Sequence, residues 1–203
     1  MKWSGKIPKA IPSMCILVVK NDKDGKPFRA KFHIVVLGNF KYRIYQKSQL
    51  EPPVLKYIYL RLLTAKPVGD KCILQQGNFK NTFCNATLPE NEVTVIRPPI
   101  GDPDFQDDEY WILKKTLYVL SQSPHHWYNM IKGILLKMVL NPSPRDPFLL
   151  SSVHTNPSSP DIISDLQFQL HTGLYVDDFV IYSSDPAQEA LFKTILQEHI
   201  QVN

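Results

Sequence analysis

The feature that most constrains the fold of this chain is a pair of adjacent aspartates between two β-prone runs. Residues 166–175 alternate between apolar and polar side chains, and residues 179–182 form a second apolar run. Asp177 and Asp178 repel each other and are poor strand formers, so they predict a tight turn that joins the two runs into a hairpin. Two carboxylates at one turn also suit a hard divalent cation, which neutralises their repulsion. From these residues alone, a metal site and an ordinary acidic turn both remain open.

The rest of the chain predicts strands interleaved with helices, which favours an α+β fold. An Asp24-Gly25 turn signal between residues 14–20 and 28–37 predicts an opening hairpin. Further strands are predicted at residues 72–76, 92–96 and 110–115, and helices at residues 54–65, at 186–200 and from Ser123-Pro124 to just before Asn141. The apolar stripe that starts at Trp127 in the middle helix is interpreted as core packing. Residues 141–144 are predicted to end that helix, and residues 151–161, rich in Ser and Pro, to form a loop.

Charge is distributed unevenly along the chain. Residues up to Lys71 contain 15 Lys and Arg against 4 Asp and Glu, whereas the remainder contains 8 against 15. A basic front half suits a polyanionic partner such as nucleic acid, because each neutralised phosphate releases counterions. The alternative is a solvated basic surface without a ligand.

Composition and motifs argue against several other classes of protein. Three cysteines without a C-x-x-C pair do not predict a disulfide framework or a zinc site, and they favour a reducing compartment. The sequence contains no apolar run of membrane-spanning length and no secretory segment at its start. We therefore expect a cytoplasmic or nuclear protein that is not secreted and does not contact a membrane. The sequence also lacks G-x-S-x-G, H-E-x-x-H and phosphate-loop motifs, so a hydrolase has no support.

A series of sequence blocks runs along nearly the whole chain. One is Tyr175-Val176-Asp177-Asp178, and the others lie at residues 12–25, 29–39, 53–63, 76–84, 88–99, 110–120 and 123–128. In the same order, these blocks resemble those of copia-type retrotransposon reverse transcriptases, and Tyr175-Val176-Asp177-Asp178 resembles the Y-x-D-D box of that family. Several collinear blocks are much stronger support for common ancestry than one pair of aspartates.

The resemblance implies a reverse-transcriptase fold, with a fingers-like basic part at residues 1–70 and a palm-like part at residues 71–203. The palm would consist of an antiparallel sheet with packed helices. The implied activity is RNA-directed DNA polymerisation on an RNA or DNA template-primer, with deoxynucleotide triphosphates and two Mg²⁺ ions, or Mn²⁺. The implied catalytic positions are Asp177, Asp178 and residue 78, and the first two are the implied metal ligands. The implied nucleotide- and nucleic-acid-binding residues are Lys31, His33, Lys80, Tyr175 and Gln122.

The chain departs from the family pattern at a metal-binding position. Asn78 stands where the Q-x-D-x-K block has its aspartate, so we expect weakened metal binding and impaired catalysis. We also expect the strand at residues 72–76 to bring Asn78 within reach of one ion bound to Asp177. His33 replaces the arginine of the family's K-A-R, and Val119 replaces the glycine of L-Y-G-L, where valine would block a close backbone approach. The chain ends soon after the hairpin, so neither a thumb nor an RNase H region is expected.

Three functions remain open on the sequence. The first is a polymerase, active or formerly active. The second is a domesticated, non-catalytic module that binds nucleic acid or protein through the basic front half. The third is a transposon relic without a selected role. Asn78 favours the second and third over present-day polymerisation.

Overall fold

The computed structural model describes residues 9–38, 54–70, 72–100, 109–152, 170–183 and 185–202, which form a mixed α+β fold with antiparallel sheets. In chain order the elements are β1 (Ser13–Asn21), β2 (Pro27–Val36), α1 (Tyr57–Asp70), β3 (Ile73–Asn78), α2 (Thr82–Asn85), β4 (Val95–Ile96), β5 (Trp111–Ile112), α3 (Ser123–Lys137), β6 (Leu140–Ser143), β7 (Asp146–Ser152), β8 (Leu170–Tyr175), β9 (Asp178–Ser183) and α4 (Pro186–His199). The predicted α+β class is confirmed. The assignment of a fingers-like and a palm-like part within this fold stays a prediction. Among the helices in these ranges, none combines the length and the apolar character needed to cross a membrane.

The chain divides into two compact units that interleave along the sequence. The first unit comprises residues 1–50 and 83–126, and the second comprises residues 51–82 and 127–203. The predicted parts at residues 1–70 and 71–203 were defined by charge and by resemblance, and they stay a prediction.

The first unit contains the predicted opening hairpin. Strands β1 and β2 pair antiparallel from Ser13 opposite Val36 to Lys20 opposite Arg29. The turn between them is closed by the Asp22 Oδ1 atom, which accepts hydrogen bonds from the backbone N–H groups of Asp24 and Lys26, both at 2.9 Å. Gly25 supplies the left-handed residue of this turn, with φ of +79°. The Asp-Gly signal therefore predicted the hairpin correctly.

The backbone of the first unit is strained at Val119. Its φ is +72°, in the left-handed region where a β-branched side chain is disfavoured. Gly38 lies directly against this residue, because a Cβ atom at position 38 would overlap the Val119 carbonyl oxygen. A glycine at position 119 would thus relieve backbone strain. From the sequence, a glycine at this position is expected for another reason, namely a close approach of the backbone to a ligand. The close backbone contact in this region depends on Gly38.

The second unit is built on a five-stranded sheet in the order β3-β9-β8-β7-β6, and each neighbouring pair is antiparallel. The predicted pairing of the last two strands is confirmed as β8 with β9. Four aromatic rings pack together around this pairing, with Phe79 against Trp127 and Phe179, and Phe179 against Phe192. Gly77 leaves room for this cluster, since a Cβ atom at position 77 would overlap the Phe179 ring.

Strands β6 and β7 were not predicted from the sequence. The sequence predicts only the end of a helix at residues 141–144, which contain two prolines, and a loop at residues 151–161. The prediction is wrong for Ser151 and Ser152, which belong to β7, and residues 153–161 lie outside the described residues. Pro142 is tolerated in β6 because β6 is the edge strand of the sheet. The N–H group that proline lacks therefore interrupts no hydrogen bonding between inner strands.

Buried carboxylates anchor two helices of the second unit. Asp146, which is completely buried, accepts hydrogen bonds at 3.0 Å from the backbone N–H of Lys56, just before α1, and from that of Phe148.

On α4, Glu189 accepts a hydrogen bond from the side-chain amide of Gln75 in β3, and the Gln75 oxygen accepts one from Lys193. Burial raises the pKa of the Glu189 carboxyl, and Lys193 partly opposes this shift.

We expect Val119→Gly to raise the free energy of unfolding by about 1 kcal/mol. A non-glycine residue in the left-handed region costs roughly 1–3 kcal/mol, which exceeds the roughly 0.5–1 kcal/mol of extra chain entropy that glycine loses on folding. Urea unfolding measures the change. Val19→Gly is the matched control, because Val19 is similarly exposed but lies in the extended strand β1. The Val19→Gly variant should have a lower free energy of unfolding than the unaltered chain. Equal destabilisation of the two variants would contradict the assignment of strain to Val119.

Candidate functional site

The candidate site is the turn between β8 and β9. Tyr175 pairs with Asp178, so Val176 and Asp177 are the two loop residues and Asp178 is the first residue of β9. Val176 has a φ of +54°, and Asp177 does not share this positive φ. This is the pattern of a type II′ hairpin turn, whose first loop residue is normally glycine. The two aspartates lie at the turn as predicted, on a backbone that is strained at Val176.

The turn is held from outside by two hydrogen bonds to its carbonyl groups. The indole Nε1–H of Trp127, on α3, donates to the Val176 carbonyl at 3.0 Å. The backbone N–H of Phe79 donates to the Asp177 carbonyl at 2.7 Å. Trp127 is only 1% exposed, and the apolar stripe in the sequence predicts core packing for it but not this hydrogen bond. Its predicted burial is the sequence signal for the bond, since a buried indole N–H needs an acceptor.

Asn78 contacts Asp178 directly. Strand β3 pairs with β9 in a register that places Asn78 opposite Asp178. The Nδ2 atom of Asn78 donates a hydrogen bond of 2.9 Å to the Oδ1 atom of Asp178. The sequence predicts Asn78 within reach of one ion bound to Asp177, and this stays a prediction. The backbone N–H of the next residue, Phe79, contacts the Asp177 carbonyl.

The residues present do not fit a pair of shared metal ions. Within the described parts of the chain, no three His, Cys, Asp or Glu side chains are grouped so that they could hold a metal ion. The side chain at position 78 turns an N–H group, not an oxygen, toward Asp178. A donor cannot ligate a cation, and Mg²⁺ requires oxygen ligands. Of the three predicted catalytic positions, only Asp177 and Asp178 carry carboxylates.

The other predicted binding residues are divided between the two units. In the second unit, Tyr175 is 51% exposed at the end of β8, and Lys80 is exposed just after Phe79. In the first unit, Lys31 and His33 lie on the same face of β2, and the His33 ring is edge-on to Tyr118. Gln122 is 1% exposed, and its two side-chain polar atoms have no hydrogen-bond partner among the described residues. Their role in binding stays a prediction.

A cavity of about 500 Å³ adjoins the turn on the α1 side of the sheet. The surface of its wall is mostly apolar, and Leu55, Leu60 and Val180 contribute to it. Tyr175 and Asp178 also contribute to its wall. Asp178 therefore lies between an apolar cavity and the amide of Asn78.

Comparison with known proteins identifies a consistent set of relatives. The family model described as reverse transcriptase (RNA-dependent DNA polymerase) matches residues 4–203. The Retrovirus-related Pol polyprotein from transposon RE1 of Arabidopsis thaliana is 27% identical over 84% of this chain and 11% of its own length. The corresponding polyprotein from transposon TNT 1-94 of Nicotiana tabacum is 25% identical over 90% of this chain and 13% of its own length. The chain thus spans about a tenth of the length of these relatives.

We expect Trp127→Phe to lower the free energy of unfolding by about 1–2 kcal/mol, because the Val176 carbonyl loses its indole donor and the core loses packing. Guanidinium unfolding measures the change. Trp111→Phe is the control, since Trp111 is 36% exposed on the short strand β5. Equal effects of the two substitutions would show that the contact with Val176 contributes nothing measurable.

Proposed function

This chain belongs to the reverse transcriptase (RNA-dependent DNA polymerase) family, in its copia-type retrotransposon branch, and from that premise we propose that it binds nucleic acid but extends a primer poorly or not at all. The observation that carries this proposal is the amide of Asn78 hydrogen-bonded to Asp178. Because the chain covers about a tenth of its relatives, the activity of the whole polyproteins is not transferred to it.

The proposed architecture is a fingers-like part at residues 1–70 and a palm-like part at residues 71–203. The β1–β2 hairpin supports the first assignment, and the five-stranded sheet with the aspartates at its β8–β9 turn supports the second. Asn78, Asp177 and Asp178 are the proposed catalytic positions. The two aspartates are the proposed ligands for Mg²⁺ or Mn²⁺, with weakened affinity.

The proposed defect in catalysis follows from the missing carboxylate. Two-metal phosphoryl transfer needs carboxylates that hold both ions, and position 78 offers a neutral amide. If this loss weakens transition-state stabilisation by roughly 3–4 kcal/mol, the rate falls by on the order of a few hundred- to a thousand-fold. His33 and the strained Val119 are further departures from the family pattern.

Proposed binding to nucleic acid rests on the basic front half of the chain. Lys20 and Arg29 are paired across the β1–β2 hairpin, and Lys31 lies on the same face. All three side chains are exposed. His33 in the same unit, and Lys80 and Tyr175 in the second unit, are the further proposed contacts to template-primer or nucleotide. Such contacts to phosphate give affinity without sequence specificity.

A second candidate function, a protein-binding module, is favoured by the opposite face of the same hairpin. That face carries Leu17 paired with Phe32, which are 66% and 61% exposed, and Val19 paired with Ala30. An exposed apolar face on a two-stranded sheet is typical of a surface that binds another protein. It would require no catalytic site.

Binding should be tested with a labelled primer–template duplex by fluorescence anisotropy at increasing salt. We expect weak binding whose affinity falls steeply with salt, because counterion release drives it. The double variant Arg29→Glu with Lys31→Glu should bind less tightly, whereas Lys137→Glu, at the end of α3, should bind almost as the unaltered chain does. Binding that is indifferent to salt, or equally affected by both variants, would contradict the proposed surface.

Extension should be tested on the same duplex with deoxynucleotide triphosphates and Mg²⁺. The unaltered chain is expected to show no useful extension, and Asn78→Asp should restore it only partly, because His33 and Val119 remain. Adding Asp177→Ala to Asn78→Asp should abolish whatever is restored. Robust extension by the unaltered chain that is lost in Asp177→Ala would overturn the proposed defect.

A further inference from the structure

We propose that the side-chain amide of Asn78 stabilises the Asp178 carboxylate by donating a hydrogen bond to it. The folded structure of the β8–β9 turn then does not depend on a divalent cation. The proposal concerns the stability of the turn. It therefore holds or fails separately from binding to nucleic acid and from polymerisation.

The first step of the argument is the geometry of the contact. Asn78 and Asp178 are register partners on β3 and β9, and the Nδ2–Oδ1 distance is 2.9 Å. An amide Nδ2 is only a donor and an ionised carboxylate only an acceptor, so the chemistry of the pair is complementary. A hydrogen bond to an ionised group is stronger than one between neutral groups, and both side chains are half-buried here.

The second step is that the carboxylates cannot easily move apart. The turn is held at the Val176 carbonyl by Trp127 and at the Asp177 carbonyl by the backbone of Phe79. Adjacent aspartates on a fixed turn repel each other, so a compensating group must be supplied at the turn itself. The Asn78 N–H supplies it from the neighbouring strand.

The third step is the contrast with a carboxylate at position 78. An aspartate there would place an oxygen where the donor nitrogen now lies, opposite an oxygen of Asp178. Two carboxylates in contact need a cation or a shared proton, or must separate the strands that carry them. Asn78→Asp should thus create a dependence on divalent cations that the unaltered chain does not have.

The test is thermal unfolding of the full chain in chelator and in excess Mg²⁺, with Mn²⁺ as a second ion. We expect the melting temperature of the unaltered chain to differ much less between the two conditions than that of Asn78→Asp, because an ion at Asp177 and Asp178 alone is held weakly. Asn78→Asp should melt lower by roughly 2–4 °C or more in chelator and recover with either ion. Asn81→Asp is the matched control, because it makes the same substitution at an exposed turn position three residues away, and it should not gain from the ions.

An exchange variant separates loss of the contact from a general failure to fold. Asn78→Asp combined with Asp178→Asn reverses donor and acceptor, so it should restore cation independence and a melting temperature in chelator near that of the unaltered chain. This variant decides the question if Asn78→Asp alone does not fold. The proposal is overturned if the unaltered chain gains as much from Mg²⁺ as Asn78→Asp does, or if the exchange variant needs the ion as much as the single variant.

Discussion

The pairing of β3 with β9 is the interaction on which the candidate site depends. It joins residues that are 100 positions apart in the chain, since Asn78 lies opposite Asp178. Side chains alternate across a strand, so a slip of one residue in this register would turn Asn78 away from the aspartates. The same register carries the backbone of Phe79 to the Asp177 carbonyl and brings the Phe79 ring against Phe179. One pairing thus organises both the polar turn and the aromatic core behind it.

The turn is a strained element kept in place by its surroundings. Val176 has the positive φ that a type II′ turn normally assigns to glycine, and such a conformation persists only where neighbouring contacts enforce it. Trp127 provides one such contact through its indole N–H, and its ring also packs against Phe79. Core packing and the geometry of the aspartates are therefore coupled through a single side chain. The turn keeps this shape with a neutral amide, Asn78, opposite Asp178.

The β1–β2 hairpin has two chemically different faces, and this difference frames the two candidate functions. One face carries Lys20, Arg29 and Lys31 beside the exposed Val18 and Ile16, and the other carries only apolar residues at the corresponding positions, such as Leu17 and Phe32. A basic face suits phosphate, whereas an apolar face suits another protein. Because alternate residues point to opposite faces of a strand, the same short segment presents both surfaces.

The sequence by itself determined the elements whose signals are local: the β1–β2 hairpin from Asp24-Gly25, the β8–β9 hairpin from its paired aspartates, and α3 from Ser123-Pro124. It also determined the family, through blocks spread along the chain. Only the tertiary structure decided that Pro142 belongs to an edge strand, that Trp127 binds the turn, and that Asn78 donates a hydrogen bond to Asp178. These facts depend on strand order, register and side-chain direction between residues distant in sequence. Local propensity carries no information about them, because the partner of each group is chosen by the packing of the whole sheet.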